Sequence, residues 1–100
     1  MYKVTTTFER PSVDVQFYLT ANPNLRTEFA EFISVIPELL LLNIVDETPL
    51  KQVSEAFYAD EKSFDSFMTK FNEKFPTFFQ DRDNYHQSVG VTTVRSAETV

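Results

Sequence analysis

The stretch from Asp60 to Phe79, DEKSFDSFMTKFNEKFPTFF, carries six of the chain's eleven phenylalanines. Phe64, Phe67, Met68, Phe71, Phe75, Phe78 and Phe79 recur at steps of three and four, the repeat of a single helix face. Asp60 is placed to accept hydrogen bonds from the free backbone N–H groups of the first turn, and Glu61 puts negative charge at the positive end of the helix. Pro76 lacks an N–H and clashes with the preceding turn, so the helix is predicted to kink or restart there. A face this rich in phenylalanine requires a broad apolar partner, which a sheet supplies. At helical spacing, the phenylalanine and methionine stripe reads as core.

One hundred residues suit one domain spanning positions 1–100. With 42% apolar and 15% aromatic residues, the chain can bury a core and does not read as disordered. Its single glycine, Gly90, excludes glycine-rich phosphate loops. The absence of cysteine excludes disulfides, thiol catalysis and thiolate metal sites. No cofactor and no metal centre are expected. The segment MYKVTTT lacks the apolar run of a signal peptide, and no stretch approaches membrane-spanning length, so a cytoplasmic protein without membrane contact is expected. A net charge of -6 argues against a nucleic-acid partner, because phosphate binding needs a positive field.

Tyr2 to Glu9 alternates as a strand, with Tyr2, Val4, Thr6 and Phe8 on one side. Arg10-Pro11-Ser12 ends it. Val13 to Leu19 alternates too, and reads as an extended arm, a short extra strand or an irregular loop. Asn22-Pro23 marks a helix start, with Asn as cap, and Leu25, Phe29, Phe32, Ile33 and Ile36 form its apolar face. Pro37 closes it. Glu38 to Asp46 is a short apolar run read as the second strand, and Leu50 to Ala59 returns as the third. The phenylalanine helix follows, a helical piece continues toward Ser88, Gly90 sits where a C-cap glycine belongs, and Val91 to Glu98 forms the last strand.

The order β-α-β-β-α-β is that of an α+β ferredoxin-like domain: a four-stranded antiparallel sheet with both helices on one face. The first and third strands are then central, and the most apolar strand falls on an edge. With Leu40, Leu42 and Ile44 toward the helices, Leu39, Leu41 and Val45 face outward. An exposed apolar edge needs a cover, and a second copy of the chain provides one, so a homodimer through the open face is expected. In element order, length and the apolar second strand, from Tyr2 to about Glu98, the chain resembles the dimeric α+β barrel proteins, which include antibiotic-biosynthesis-type monooxygenases and stress-responsive barrel proteins. That resemblance implies two chains packed sheet against sheet. The chain lacks the tryptophan often found in the monooxygenase pocket, and its arm from Ser12 to Ala21 is longer than a typical first connection.

Candidate site residues are few. His86 is the only histidine, and Asp83 shares its helix face three residues earlier, the spacing of an acid–base or metal-binding pair. A surface or second-layer histidine is the plainer reading. Tyr85 reads as a core or interface aromatic with its hydroxyl at an edge, and is a candidate ligand contact. Asn43 interrupts the apolar second strand; facing into a dimer barrel, it would place an amide in an apolar cavity, and otherwise it is a solvated amide. Arg95, in phase with Val91, Thr93 and Ala97, is a candidate for an anionic ligand, against a surface ion pair. Arg10, at a strand end, can line a site from a loop. The third strand lacks the basic and aromatic signature of RNA-recognition modules, and the single glycine leaves no acylphosphatase loop.

These residues form no convergent catalytic set. The first functional reading is therefore a non-enzymatic, self-associating protein with room for a small apolar ligand. The alternatives are a cofactor-independent monooxygenase-like enzyme and a structural or regulatory subunit of a larger assembly.

Overall fold

The structure, a computed structural model, describes residues 1–100. Its elements run β1 (Tyr2–Glu9), α1 (Tyr18–Ala21), α2 (Pro23–Val35), β2 (Leu41–Asp46), β3 (Lys51–Tyr58), α3 (Glu61–Lys74), α4 (Phe78–Val89) and β4 (Thr92–Thr99). The strands form one four-stranded antiparallel sheet in the order β2-β3-β1-β4, the ferredoxin-like α+β arrangement expected from the element order. Val4 lies opposite Ala56 and Ala97, and Thr6 opposite Ser54 and Arg95. Because neighbours on a strand face opposite sides, this register puts Val4, Thr6, Phe8, Ser54, Ala56 and Tyr58 on the helix-facing side, with Arg95 in the same phase but exposed on the edge strand β4. Lys3, Thr5, Thr7, Glu55 and Val94 lie on the open face. There Lys3 bridges Glu55 at 3.4 Å and Glu98 at 3.1 Å across three strands.

The second strand starts later than its apolar run. Leu41, not Glu38, is its first residue, and the inward and outward assignment holds only from there. Leu42 and Ile44 take the helix-facing phase, with Ile44 still 54% exposed at the sheet edge, and Leu41 and Val45 lie on the open side, 51% and 54% exposed. Leu40, expected under the helices, precedes the strand and is 55% exposed, and its N–H bonds to the Phe57 carbonyl. Leu39, expected outside, packs against the core. The reason is Glu38, whose Oε2 accepts from Ser66 Oγ at 2.7 Å and Lys70 Nζ at 2.6 Å. These bonds tie the turn to α3, so the chain enters the sheet only after Leu39 has turned inward.

Asp60 caps α3, its Oδ1 accepting from the Ser63 N–H at 2.8 Å, and that bond holds the carboxyl below its usual range. The helix ends at Lys74, and the chain restarts as α4 at Phe78, with Pro76 in the break. The rings close that gap. Phe71, 1% exposed, packs against Phe67 and Phe75 of its own segment, Phe78 and Phe79 beyond the break, and Phe29 and Phe32 of α2, with centroids 5.0–6.0 Å apart. Gly90 ends α4 at φ 81, a left-handed conformation, and a Cβ there would sit 3.3 Å from Pro11 Cγ.

The segment between β1 and α2 forms no strand. It is a turn followed by the single turn α1, and side chains hold it in place. Arg10 donates to the carbonyls of Val13, Val15 and Pro49. Tyr85 Oη donates to the Gln16 carbonyl at 2.9 Å, and the Tyr18 N–H donates to His86 Nε2 at 3.1 Å. The period-two pattern of Val13 to Leu19 thus lies on a loop whose carbonyls are captured by Arg10 rather than by a strand. Asn22 occupies the N-cap position of α2, but its side chain makes no capping bond: its Nδ2 donates to the Tyr18 carbonyl, and Pro23 opens the helix.

His86 is 2% exposed. An Nε2 that accepts from a backbone N–H carries no proton, so the ring is neutral, with Nδ1–H directed at Thr93 Oγ1, 3.1 Å away. Burial, reinforced by the Arg82 charge, lowers its pKa from 6.5.

Two outcomes are expected. Phe71→Ala should destabilise the fold by about 3–5 kcal/mol, read from denaturant midpoints, and a parent-like midpoint would contradict the packing described. The lowered imidazole pKa means that the unfolded chain binds the proton more readily than the fold. Stability from this group is therefore fully present above about pH 6.5 and declines as pH falls below it toward the lower folded value. Since His86 is the only histidine, urea midpoints measured from neutral to mildly acidic pH should fall in the parent and stay flatter in His86→Gln.

Candidate ligand-binding site

A cavity of about 270 Å³ lies between the helix-facing side of the sheet and the helices. Its floor is central sheet, where Thr6, Ser54 and Ala56 are small. Rings of Phe29, Phe67 and Phe78 form the far wall, and Phe17 to Thr20 close one end. Eighteen of its 26 lining residues are hydrophobic. The space exists because short floor side chains face helices whose phenylalanines are drawn to one another around Phe71, leaving volume between the two layers.

Polar groups reach this apolar space at a few points. Across the floor the register aligns Ile44, Ser54, Thr6 and Arg95 in one row. The Arg95 guanidinium lies 5.7 Å from the Phe64 ring centroid. Tyr58, 3% exposed, lines the same space, and burial pushes its phenol up to about 12, so it stays a neutral hydroxyl at physiological pH. Arg82 sits between the Phe8 and Phe79 rings, 5.4 and 5.1 Å from their centroids, and donates to Asp83 Oδ1.

The residues singled out in the sequence are dispersed. His86 lines the cavity with both nitrogens engaged, and Asp83, exposed, is paired with Arg82. Tyr85 is occupied in holding the arm. Asn43 lies on the open face opposite Glu55, away from the cavity. Arg10 clamps loops outside it. Arg95 does line the cavity. Sequence reasoning missed Thr6, Ser54, Tyr58 and Arg82. For the first two the available signal was a small polar residue on the inward phase of a central strand. No group of three or more His, Asp or Glu side chains is arranged to hold a metal.

No protein-family model matches the chain, and no curated protein matches it in sequence. Solved structures do match it in shape. One is a candidate antibiotic biosynthesis monooxygenase from Deinococcus radiodurans, 13% identical, covering 100% of this chain and 92% of that one, with a TM-score of 0.67. Another is SnoaB, described as a cofactor-independent oxygenase from Streptomyces nogalater, 13% identical over 99% of this chain and 91% of that one, at 0.62. A third is a dimeric ferredoxin-like protein from an uncultured marine organism, 17% identical, covering 99% and 94%, at 0.65. These neighbours correct the first functional reading. Two of the three are described as oxygenases, which favours the enzyme-like alternative over a non-enzymatic protein. What the chain shares with all three along its length is the ferredoxin-like α+β fold.

Proposed function

We propose that this chain is a small-molecule enzyme of the oxygenase type, acting on an apolar substrate in the cavity between sheet and helices. The observation that carries the reading is the cavity itself, mostly apolar with a few inward polar groups, the composition of small-molecule sites. It is supported by the full-length likeness in fold to a protein described as a cofactor-independent oxygenase. In chemistry of that type, the substrate supplies the electrons that reduce dioxygen. An activated methylene becomes a carbonyl: one oxygen atom bonds to the carbon, and the other leaves as water with the two methylene hydrogens. The protein's part is to hold the substrate dry and oriented, with Arg95 and the Tyr58 hydroxyl as polar contacts.

We also propose that two copies pack through the open sheet face. Leu41, Val45 and Val94 are 51%, 54% and 64% exposed there. Each buried leucine stabilises by roughly 1.5–3 kcal/mol, so covering these side chains favours association. A fold neighbour is described as dimeric, which supports the same reading.

Both parts have tests. Bicyclic ketones and phenols with an activated methylene, incubated under isotope-labelled dioxygen, should yield a carbonyl product bearing one labelled oxygen, and Ser54→Phe, which fills the floor, should abolish that product while circular dichroism stays unchanged. Turnover no faster than buffer across the panel would overturn the oxygenase reading. For the dimer, light scattering should give twice the chain mass for the parent and a folded single-chain mass for Leu41→Asp; a parent that stays monomeric at high concentration removes the interface.

A further inference from the structure

Neighbouring residues of α4 grip the arm. Tyr85 Oη donates to the Gln16 carbonyl at 2.9 Å, and His86 Nε2 accepts from the Tyr18 N–H at 3.1 Å. Between Pro11 and α1 the other tethers are Arg10 to the Val13 and Val15 carbonyls and one local turn bond, from the Val15 N–H to the Ser12 carbonyl. Each end of the segment is fixed separately. Pro11 lies beside Gly90, close enough that a Cβ on the glycine would come within 3.3 Å of its Cγ. The Tyr18 ring packs on Phe78 and Tyr85, with centroids 5.6 and 5.9 Å away. Of the tethers from outside the segment, only the His86 bond is made by a group that titrates near neutral pH.

That bond exists for the neutral ring alone. Nδ1–H is directed at Thr93 Oγ1, so Nε2 is the nitrogen left to take up a proton. Once protonated, it is a donor facing a donor, and the Tyr18 N–H loses its acceptor. The surroundings offer the new charge no partner. From β1 the ring meets Phe8 and from the arm Phe17, both edge-on, with centroids 5.0 and 6.3 Å away, and β4 supplies the neutral Thr93. Tyr18 is a phenol that burial and Asp81 push up, so it stays uncharged. On α4, Tyr85 packs at 5.8 Å. Burial and the Arg82 charge both oppose the proton, and Asp83, which favours it, is exposed and paired with Arg82. Arg10, 5.4 Å from the Phe17 ring centroid, adds a second cation on the arm side. The imidazolium is therefore accommodated only when the arm moves off and water reaches the ring. We propose that His86 is an acid-sensitive latch: protonation at Nε2 releases residues 12–17 between their fixed ends, while the sheet and the phenylalanine cluster stay folded.

Amide hydrogen exchange of the isotope-labelled full chain, followed from about pH 7.5 to about pH 5 and corrected for the intrinsic pH dependence of exchange, reads the latch directly. The Tyr18 amide should open about tenfold more often for each pH unit below 6.5 until the latched ring itself titrates, since the released ring binds one proton that the latched ring does not. This opening should be nearly independent of low urea concentrations, the mark of a small local event. Val4 and Ala56, in the central strands, should open far more rarely and with a steep urea dependence. His86→Gln keeps a side-chain acceptor without the titration, so its Tyr18 opening should not change with pH. Tyr85→Phe, which frees the Gln16 carbonyl, should raise opening at every pH with the slope retained. A pH-independent Tyr18 amide in the parent, or one that exchanges together with Val4 and Ala56 and with their urea dependence, overturns the latch without recourse to any variant. A slope that survives His86→Gln overturns it as well.

Discussion

Phenylalanine rings meet across the break at Pro76, and the layer above the sheet depends on that contact. Without an N–H at position 76 the backbone cannot carry one helix from Glu61 to Val89. Phe71 and Phe75 on one side and Phe78 and Phe79 on the other rejoin the two pieces through side chains. Phe29 and Phe32 then draw α2 onto the same cluster. The helical layer is thus set by rings gathering around one residue rather than by a continuous rod lying flat on the strands. That geometry places the tightest packing around Phe71 and leaves room over the short side chains at mid-sheet.

How much of this was legible in the sequence follows from the range of each interaction. The capped phenylalanine helix, the left-handed Gly90 and the alternation of β1 are local, and their residues announce them within a few positions. Leu39 and Leu40 were misassigned because their orientation is decided by Glu38 bonding to Ser66 and Lys70, about thirty positions onward in the chain. The arm was ambiguous for a related reason. Its alternating valines fit a strand, but Arg10 takes the Val13 and Val15 carbonyls that a strand would need for its ladder. The candidate site was the least legible part. Arg95 could be picked out as a candidate ligand contact, but Thr6 comes to lie opposite it, and Ser54 one strand further on, only through the register of three strands.

The two faces of the sheet divide the labour. The open side is mixed, with an ion-paired lysine on the central strand β1 and exposed aliphatic residues on both edge strands, Leu41 and Val45 on β2 and Val94 on β4. The covered side combines aromatic walls with a few polar points. A fold of this type separates the surface suited to association from the volume suited to a ligand, so substitution on one face need not disturb the other.

The anchoring of the arm has a kinetic consequence. Residues 12–17 are held by Arg10 on the Val13 and Val15 carbonyls and by Tyr85 on the Gln16 carbonyl, with His86 accepting from Tyr18 just beyond, not by a ladder of strand hydrogen bonds. Such a segment opens locally at a lower free energy than the strands beneath it. Phe17, at the end of this segment, also lines the cavity, so local opening of the arm would uncover part of the cavity wall. Releasing those few side-chain tethers would leave the sheet and the phenylalanine cluster intact.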